Sequence, residues 1–485
     1  MVQKDHITVS SNLESSSGVY DIAVIGGGPG GYVAAAYGAR QGARVVLVEK
    51  DTLGGTCLNR GCIPTKALVR TTEVYKTMQE APRYGCRGEN IQVDFGRAMA
   101  RTDRIVAGMV KGVEALLDRH KVTVLPGLAR LVDQESIAVK NGANETVIKA
   151  KHIIIATGSE SVNLPIPGAH GPYILDSTKA LELQELPASM VIIGGGVIGM
   201  EFAFIFARLG VKVTVIEYLD QILSLVDEDL AQEVFRSART AGIKIYTSAK
   251  VTSISTKVDG QAQVTFEHAT TGEPFSDIAA DKVLMAVGRR PFLEGLSVEE
   301  IGLQLDRGGL AIKVDDTMQT NIENIYAIGD VTGKVMLAHV ASHQGLVAID
   351  NILGKETLMD YHGVPSAVFT DPEIATVGIS EKEAKAQGVP VKVGRFPFAV
   401  NGKAVTLGMS RGFVKLITEA DTGVIIGGGI VGPGATDLIG EITLAVQYRL
   451  TAHQVARTIH PHPTLPEAVF EAAWAAESGA LHLAD

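Results

Sequence analysis

Apolar residues in this chain come in short runs that break at glycine. Tyr20-Asp21-Ile22-Ala23-Val24-Ile25 predicts a strand running into Gly26-Gly27-Gly28-Pro29-Gly30-Gly31, then an Ala-rich helix to Arg40, and a second strand from Arg44 to Val48 that ends at Glu49. The same succession returns later. Met190 to Ile193 runs into Gly194-Gly195-Gly196-Val197-Ile198-Gly199, a helix follows to Leu209, and Lys212 to Ile216 ends at Glu217. Three further apolar strands close on glycine turns: Ile153 to Gly158, Val283 to Pro291, and Ile325 to Asp330. At the first two the chain is expected to cross between domains and to hinge. From about His362 strands alternate, as in Phe413 to Thr418 and Val424 to Ile430, with helices near Ala435 to Tyr448 and Leu465 to Ala475. That change of pattern predicts a mixed antiparallel domain.

The fold class is therefore α/β, with two Rossmann-like dinucleotide-binding domains followed by a C-terminal α+β domain. The expected boundaries are a disordered polar tail over residues 1–18, a first dinucleotide-binding segment over 19–160, a second over 161–288, a return to the first or central part over 289–361, and the last domain over 362–485. Each cassette carries three glycines: one for a tight turn, one where backbone must approach a pyrophosphate, and one where helix packs closely on strand. The helix that follows offers N–H groups and a positive dipole end to the phosphates. One such motif also marks ordinary turns, but two copies with matched strands and matched acids carry more weight. Glu49 and Glu217 stand where a carboxylate accepts the hydroxyls of an adenosine ribose.

Length and composition narrow the class. With 485 residues, 46% apolar and 20% charged, the chain is an ordinary soluble sequence too long for one core, so about three domains are expected. The net charge of −10, from 44 basic and 54 acidic residues, argues against nucleic acid or an anionic membrane as main partner. The most membrane-like stretch, Met190 to Ala207, holds the second cassette's glycines and Glu201, and a lipid-facing carboxylate is costly, so it reads as buried strand, turn and helix. The first 18 residues contain Asp5 and Glu14 and show neither an apolar signal core nor an Arg-rich, acid-poor transit pattern. Only three cysteines are present, so a disulfide-stapled scaffold is excluded. Two of them lie in Gly54-Gly55-Thr56-Cys57-Leu58-Asn59-Arg60-Gly61-Cys62-Ile63-Pro64-Thr65-Lys66, just behind the first fingerprint, and suggest thiol-disulfide chemistry beside a redox cofactor. Cys86 is left without a partner.

Near the C-terminus stands His460-Pro461-His462-Pro463-Thr464-Leu465-Pro466-Glu467, where each histidine is stiffened by the proline after it. Read plainly, Glu467 is the carboxylate of a capping box on an N-cap Thr464, and the histidines are surface residues.

The cassette at Gly26, the run Gly54 to Lys66, the cassette at Gly194, the strand end Ala327 to Asp330 and the run His462 to Glu467 together resemble the flavoprotein disulfide reductases, over essentially everything from Tyr20 onward. Within that family the likeness is to the branch that reoxidises lipoyl groups, through Glu217 and Gly199, Gly432-Pro433-Gly434-Ala435 and the His-x-His-Pro-Thr-Leu run. The resemblance implies that Gly26, Gly28, Gly31 and Glu49 bind the ADP half of FAD, with Lys66, Thr157, Gly158, Asp330, Leu337, Ala338 and His339 nearer the flavin. It implies that Gly194, Gly196, Gly199 and Glu217 bind NAD, with Gly288 and Glu201 on that side and Glu201 paired with Lys66. Cys57 would exchange with a substrate thiol, Cys62 would face the flavin as a thiolate, and His462, oriented by Glu467, would be the acid/base supplied by the other subunit of a homodimer. His460 is expected to be structural, and no metal is called for.

The implied activity is oxidation of protein-bound dihydrolipoyl groups with reduction of NAD, and the implied partners are the lipoyl domains and acyltransferase core of 2-oxoacid dehydrogenase complexes or the lipoyl carrier of glycine cleavage. A bacterial cytoplasm is the simpler address, with an organelle matrix or stroma as alternative. Two other activities stay open: NADPH-dependent reduction of a small disulfide, and a non-catalytic scaffold role. Arg60 and Pro466 depart from the common family pattern; many relatives carry a small apolar residue at the first position and serine at the second.

Overall fold

The computed structural model describes residues 18–257 and 260–483, so all of the expected polar tail except Gly18 lies outside the described residues. The chain gathers into two compact units. One is built from residues up to 67, 97–162 and 289–360; the other from 68–96, 163–288 and 361 onward.

In the first unit, strand Tyr20–Ile25 pairs in parallel with Val45–Glu49 on one side and with the long strand Asn144–Ile155 on the other. Thr123–Pro126 and Ile325–Ala327 extend the parallel part, and Ser136–Asn141 and Leu128–Leu131 add antiparallel strands to make seven. Central parallel strands are covered on both faces, which is why Ile22, Ala23, Val24 and Ile153 to Ile155 read as unbroken apolar runs. Helix Pro29–Arg40 packs on helix Ala338–Ile352. The approach is close: a Cβ at Gly345 would stand 3.0 Å from the Gly30 carbonyl oxygen, so a larger residue would push the helices apart.

The second unit repeats the theme. Strands Lys244–Tyr246, Lys212–Ile216, Ser189–Ile193, Lys282–Met285 and Ile174–Leu175 form a five-stranded parallel sheet. A three-stranded antiparallel sheet, Ala249–Thr256, Ala262–His268 and Ile278–Ala280, comes next, stitched by Tyr246, Phe266 and Phe275, whose ring centroids lie 5.0 to 5.5 Å apart.

Beyond residue 361 the predicted antiparallel domain is present. Its sheet runs Pro365–Val368, Glu373–Gly378, Ile425–Gly432, Phe413–Glu419, Val391–Pro397, all antiparallel. Helices Ala435–Gln447 and Glu467–Glu477 cover it, burying Phe396, Val414, Leu416, Ile439 and Ala472 in one core.

One strand residue breaks the apolar rule. Lys415 is 1% exposed, and its ammonium meets Asp227 at 2.7 Å, Asp229 at 3.0 Å and Glu381 at 2.7 Å, with Arg395 also on Asp229. Burial by itself lowers an ammonium's pKa; the hydrogen bonds it donates to Asp227, Glu381 and Asp229 outweigh that and raise the pKa of Lys415. An isolated charge there would be prohibitive, and the three carboxylates make it tolerable.

Candidate functional site

The two cassettes agree in detail. Gly26 has φ +106° and Gly194 +104°, and an added Cβ would stand 2.3 Å from the Ala156 oxygen in one and 2.4 Å from the Ala286 oxygen in the other. A Cβ at Gly31 would meet the Gly26 oxygen at 1.8 Å, and one at Gly199 the Gly194 oxygen at 2.0 Å. The middle glycines differ in kind. A Cβ at Gly196 would meet nothing within 4 Å, and one at Gly28 only Gly55 Cα at 3.9 Å. The outer glycines are thus required by the protein's own backbone, while the middle ones face open space where a bulky group can come close to the chain. Helices Pro29–Arg40 and Val197–Arg208 both start without a side-chain cap, leaving their first N–H groups for an anion.

Behind each turn sits the predicted acid, buried. Glu49 accepts the N–H of Gly27 at 2.7 Å and of Asp51 at 2.8 Å. Glu217 accepts those of Gly195 and, at 2.7 Å, of Leu219. A carboxylate offers about four acceptor positions, so each acid closes its own turn and still has capacity for ribose hydroxyls. Burial raises the Glu49 carboxyl's pKa against the opposing pull of the Gly27 and Asp51 N–H groups. Both turns fit a dinucleotide by shape and by donor set.

The thiol segment is pressed onto the first cassette. Gly54 and Gly55 both have positive φ, and a Cβ at Gly55 would lie 2.6 Å from Gly28 Cα, so glycine there lets helix Gly55–Arg60 lie against the cofactor turn. The Asn59 amide donates to the carbonyls of Leu53 and Gly55 at 3.0 Å each, and Arg60 pairs with Asp51, fastening the helix to the chain just after Glu49. Cys62 opens the next helix, Cys62–Glu80.

Cys57 and Cys62 are thiols in contact through a side-chain hydrogen bond. That bond, burial and the Cys62 charge together push the Cys57 thiol's pKa far up, while Lys66 pulls the other way. Cys57 lines a cavity of about 170 Å³ with Tyr32, Ile63, Met109, Ala338 and His339. Ala338 and His339 are thus brought beside the thiol. Tyr32, Ile63 and Met109 were not expected from sequence; for Tyr32 the available signal was an aromatic directly after Gly31. Burial, with a contribution from Cys57, raises the Tyr32 phenol's pKa.

The remaining flavin-side residues fall in the same unit. The Thr157 hydroxyl donates to the Phe292 oxygen at 2.7 Å, Gly158 has φ +74° with open space at its Cβ position, and Asp330 accepts the hydroxyl of Ser159, which Arg289 Nε also reaches at 2.8 Å. In the second unit Gly288, at φ +121°, is similarly open, and buried Glu201 accepts the Phe369 N–H at 3.0 Å.

The two histidines of the His-Pro-His-Pro run differ sharply. His460 is 7% exposed, with Nε2 2.7 Å from Glu441 and Nδ1 2.9 Å from the Thr458 oxygen, and its ring lies 5.6 Å from that of Phe470. His462 is 78% exposed, and its Nδ1 is 2.8 Å from Glu467. With Nδ1–H held by the carboxylate, Nε2 is the nitrogen that takes a proton. Burial raises the Glu467 carboxyl's pKa, but the Thr464 N–H, at 2.7 Å, and His462 outweigh it and hold it below the usual range.

The capping-box expectation is half met. Glu467 reaches back to the Thr464 N–H, but the Thr464 hydroxyl goes to the Pro461 oxygen at 2.6 Å, and the helix Glu467–Glu477 is capped by Pro466, whose φ of −54° is already helical. Cys86 is exposed and remote in sequence from the pair. Among the described residues no group of His, Cys, Asp and Glu side chains is gathered as for a metal ion, and no helix is long and apolar enough to cross a membrane.

Residues 20–345 match the pyridine nucleotide-disulphide oxidoreductase family, and residues 364–473 match the dimerisation domain of pyridine nucleotide-disulphide oxidoreductases. The dihydrolipoyl dehydrogenase of Chlamydia pneumoniae is 44% identical over 464 residues, which cover 96% of this chain and 98% of that protein. That of Geobacillus stearothermophilus is 42% identical over 460 residues, covering 95% and 97%. The crystal structure of LpdA from Mycobacterium tuberculosis superposes with a TM-score of 0.87 at 31% identity, covering 94% of this chain and 99% of that one.

Proposed function

We propose, from the premise that this chain belongs to the pyridine nucleotide-disulphide oxidoreductase family, that it oxidises protein-bound dihydrolipoyl groups through a Cys57–Cys62 disulfide, with FAD as relay and NAD as final acceptor. The observation that carries this reading is the contact of the two thiols beside an open cofactor turn, with Cys57 lining a cavity that His339 also lines. The chemistry FAD would supply when bound is a two-electron relay between the dithiol and the nicotinamide of NAD. The Gly26, Gly28, Gly31 and Glu49 turn holds its ADP half, with Lys66, Thr157, Gly158, Asp330, Ala338 and His339 toward the flavin. Gly194, Gly196, Gly199, Glu217 and Gly288 would hold NAD, with Glu201 on that side. A buried carboxylate at Glu217 repels a ribose 2′-phosphate, which favours NAD over NADP.

The protein's own residues move the sulfur and the protons. His462 Nε2 takes the proton of one substrate thiol, whose sulfur attacks Cys57; the Cys57–Cys62 bond breaks and Cys62 leaves as thiolate. The second substrate sulfur then displaces Cys57, closing the lipoyl disulfide and leaving its proton on Cys57. Two electrons and two protons have left the substrate: Cys57 is a thiol, Cys62 a thiolate at a helix start that favours it, and His462 an imidazolium facing Glu467. His462 acts on the disulfide of the partner subunit in a homodimer; the dimerisation match and the outward exposure of this ring support that arrangement.

Residues 19–160 and 289–361 form the FAD domain, 161–288 the NAD domain and 362–485 the interface domain. The physiological partners are lipoyl domains and the acyltransferase core of 2-oxoacid dehydrogenase complexes, or the glycine-cleavage lipoyl carrier, in a bacterial cytoplasm. Anaerobic titration of the holoenzyme with dihydrolipoamide tests the reading. A long-wavelength thiolate-to-flavin band followed by NADH on adding NAD supports it; turnover that survives alkylation of both thiols rejects it.

A further inference from the structure

Arg60 is the one charged side chain between the two active cysteines, and nothing in the proposed reaction uses it. It ends helix Gly55–Arg60, three positions after Cys57, so the two side chains share a face one turn apart. Its guanidinium is paired with Asp51, whose own N–H is bonded to Glu49 at 2.8 Å and whose carboxylate also takes the Thr52 hydroxyl at 3.3 Å. The pair is partly exposed, 38% and 42%, so its value as a staple is small. Its value as a charge is different, because reduction of the disulfide creates a thiolate on Cys62, two positions after Arg60 in the chain, and a fixed cation favours that ion while a carboxylate beside the cation cancels part of the effect.

We propose that Arg60 and Asp51 are a matched pair of positioning residues that set the ease of reduction of the Cys57–Cys62 couple, Arg60 raising the thiolate fraction of the reduced enzyme and Asp51 holding that increase in check. The inference rests on the redox role of the two cysteines proposed above. In the reduced enzyme two electrons reside on the pair, with one proton on Cys57 and Cys62 ionised. Arg60 lowers the free energy of that ionised state and leaves the neutral disulfide untouched, which makes the disulfide easier to reduce.

A staple and a charge device predict different outcomes. If the bridge only holds the helix in place, removing either partner breaks the same contact, and Arg60→Gln and Asp51→Asn shift the thiolate in one direction. If charge is the point, they shift it in opposite directions. The measurement is the pH midpoint of the long-wavelength band in FAD-loaded, dihydrolipoamide-reduced protein, checked by the rate of iodoacetamide alkylation. Below the midpoint, Arg60→Gln is expected to show about 3- to 10-fold less thiolate, Asp51→Asn more thiolate by a similar factor, and Arg60→Lys a value close to the unsubstituted protein. Shifts of the same sign, or none, overturn the proposal. Should Asp51→Asn fail to retain FAD, Arg60→Gln and Arg60→Lys decide alone, and equal midpoints for those two overturn it. Absence of any thiolate band in the unsubstituted protein instead removes the redox reading on which the proposal stands.

Discussion

The first and second cassettes are nearly the same object, yet they meet different surroundings. Both pair a positive-φ glycine near +105° with a clash-bound third glycine, an open middle one and a buried acid. After Glu49 the chain turns through Gly54 and Gly55 into a helix bearing a thiol, which lies against Gly28. After Glu217 it enters a segment with exposed Tyr218, Leu219 and Leu225, and nothing sits over Gly196. One cradle has the thiol-bearing helix at its side, with Gly55 the nearest neighbour of Gly28; the other has nothing within 4 Å of Gly196 among the described residues, as suits a cofactor that must come and go. The cassette supplies binding, and the segment after its acid decides the chemistry.

The largest expected contrast comes from the sulfur. Cys57→Ser should lower dihydrolipoamide oxidation by about a thousandfold or more, while NADH oxidation by an artificial dye, which uses only the second cradle and the flavin, persists. His462→Ala should cost about 10²- to 10⁴-fold in the same assay. Heterodimers of the two variants should regain activity after verified subunit exchange, because each supplies what the other lacks.

An added methyl separates the cradles next. Gly31→Ala forces the Gly26 oxygen away and should cost about 1–3 kcal/mol in denaturant midpoint together with FAD retention. Gly199→Ala, facing the same clash at Gly194, should leave FAD stoichiometric and raise KM for NAD. Glu217→Gln should narrow the preference for NADH over NADPH by about tenfold in steady-state kinetics.

The smallest effect is a pH dependence. Because the folded Glu49 pKa lies above its ordinary value, its neutral form dominates below a higher pH than for a free glutamate. The ribose then loses an acceptor sooner, and flavin fluorescence should report FAD release beginning above the usual carboxylate range. Glu49→Gln should abolish that inflection.

What the chain's pattern revealed was mostly local. The strand–glycine–helix–strand–acid order, the paired cysteines and the base with its carboxylate all lie within windows of about 30 residues, where spacing and turn chemistry leave few alternatives. The misread capping box shows the limit: a Thr three residues before a Glu predicts a helix start, but Pro466 already has helical φ and takes the cap itself. Nonlocal partners were invisible. Lys415 in the run Phe413-Val414-Lys415-Leu416 reads as one polar position in a strand, and its partners Asp227 and Asp229 lie 188 and 186 positions earlier. The cavity residues Tyr32 and Met109 come from separate helices that the fold alone brings together.

The lysine on that inner strand also bears on the history of the chain. Its three acidic neighbours leave no single substitution that keeps the cluster balanced: losing the lysine strands several negative charges, and losing one acid weakens a cation already out of water. Any lineage departing from this arrangement has to change at least two distant codons in concert. Homologous sequences should therefore retain the cluster whole or lack it whole, with intermediates scarce.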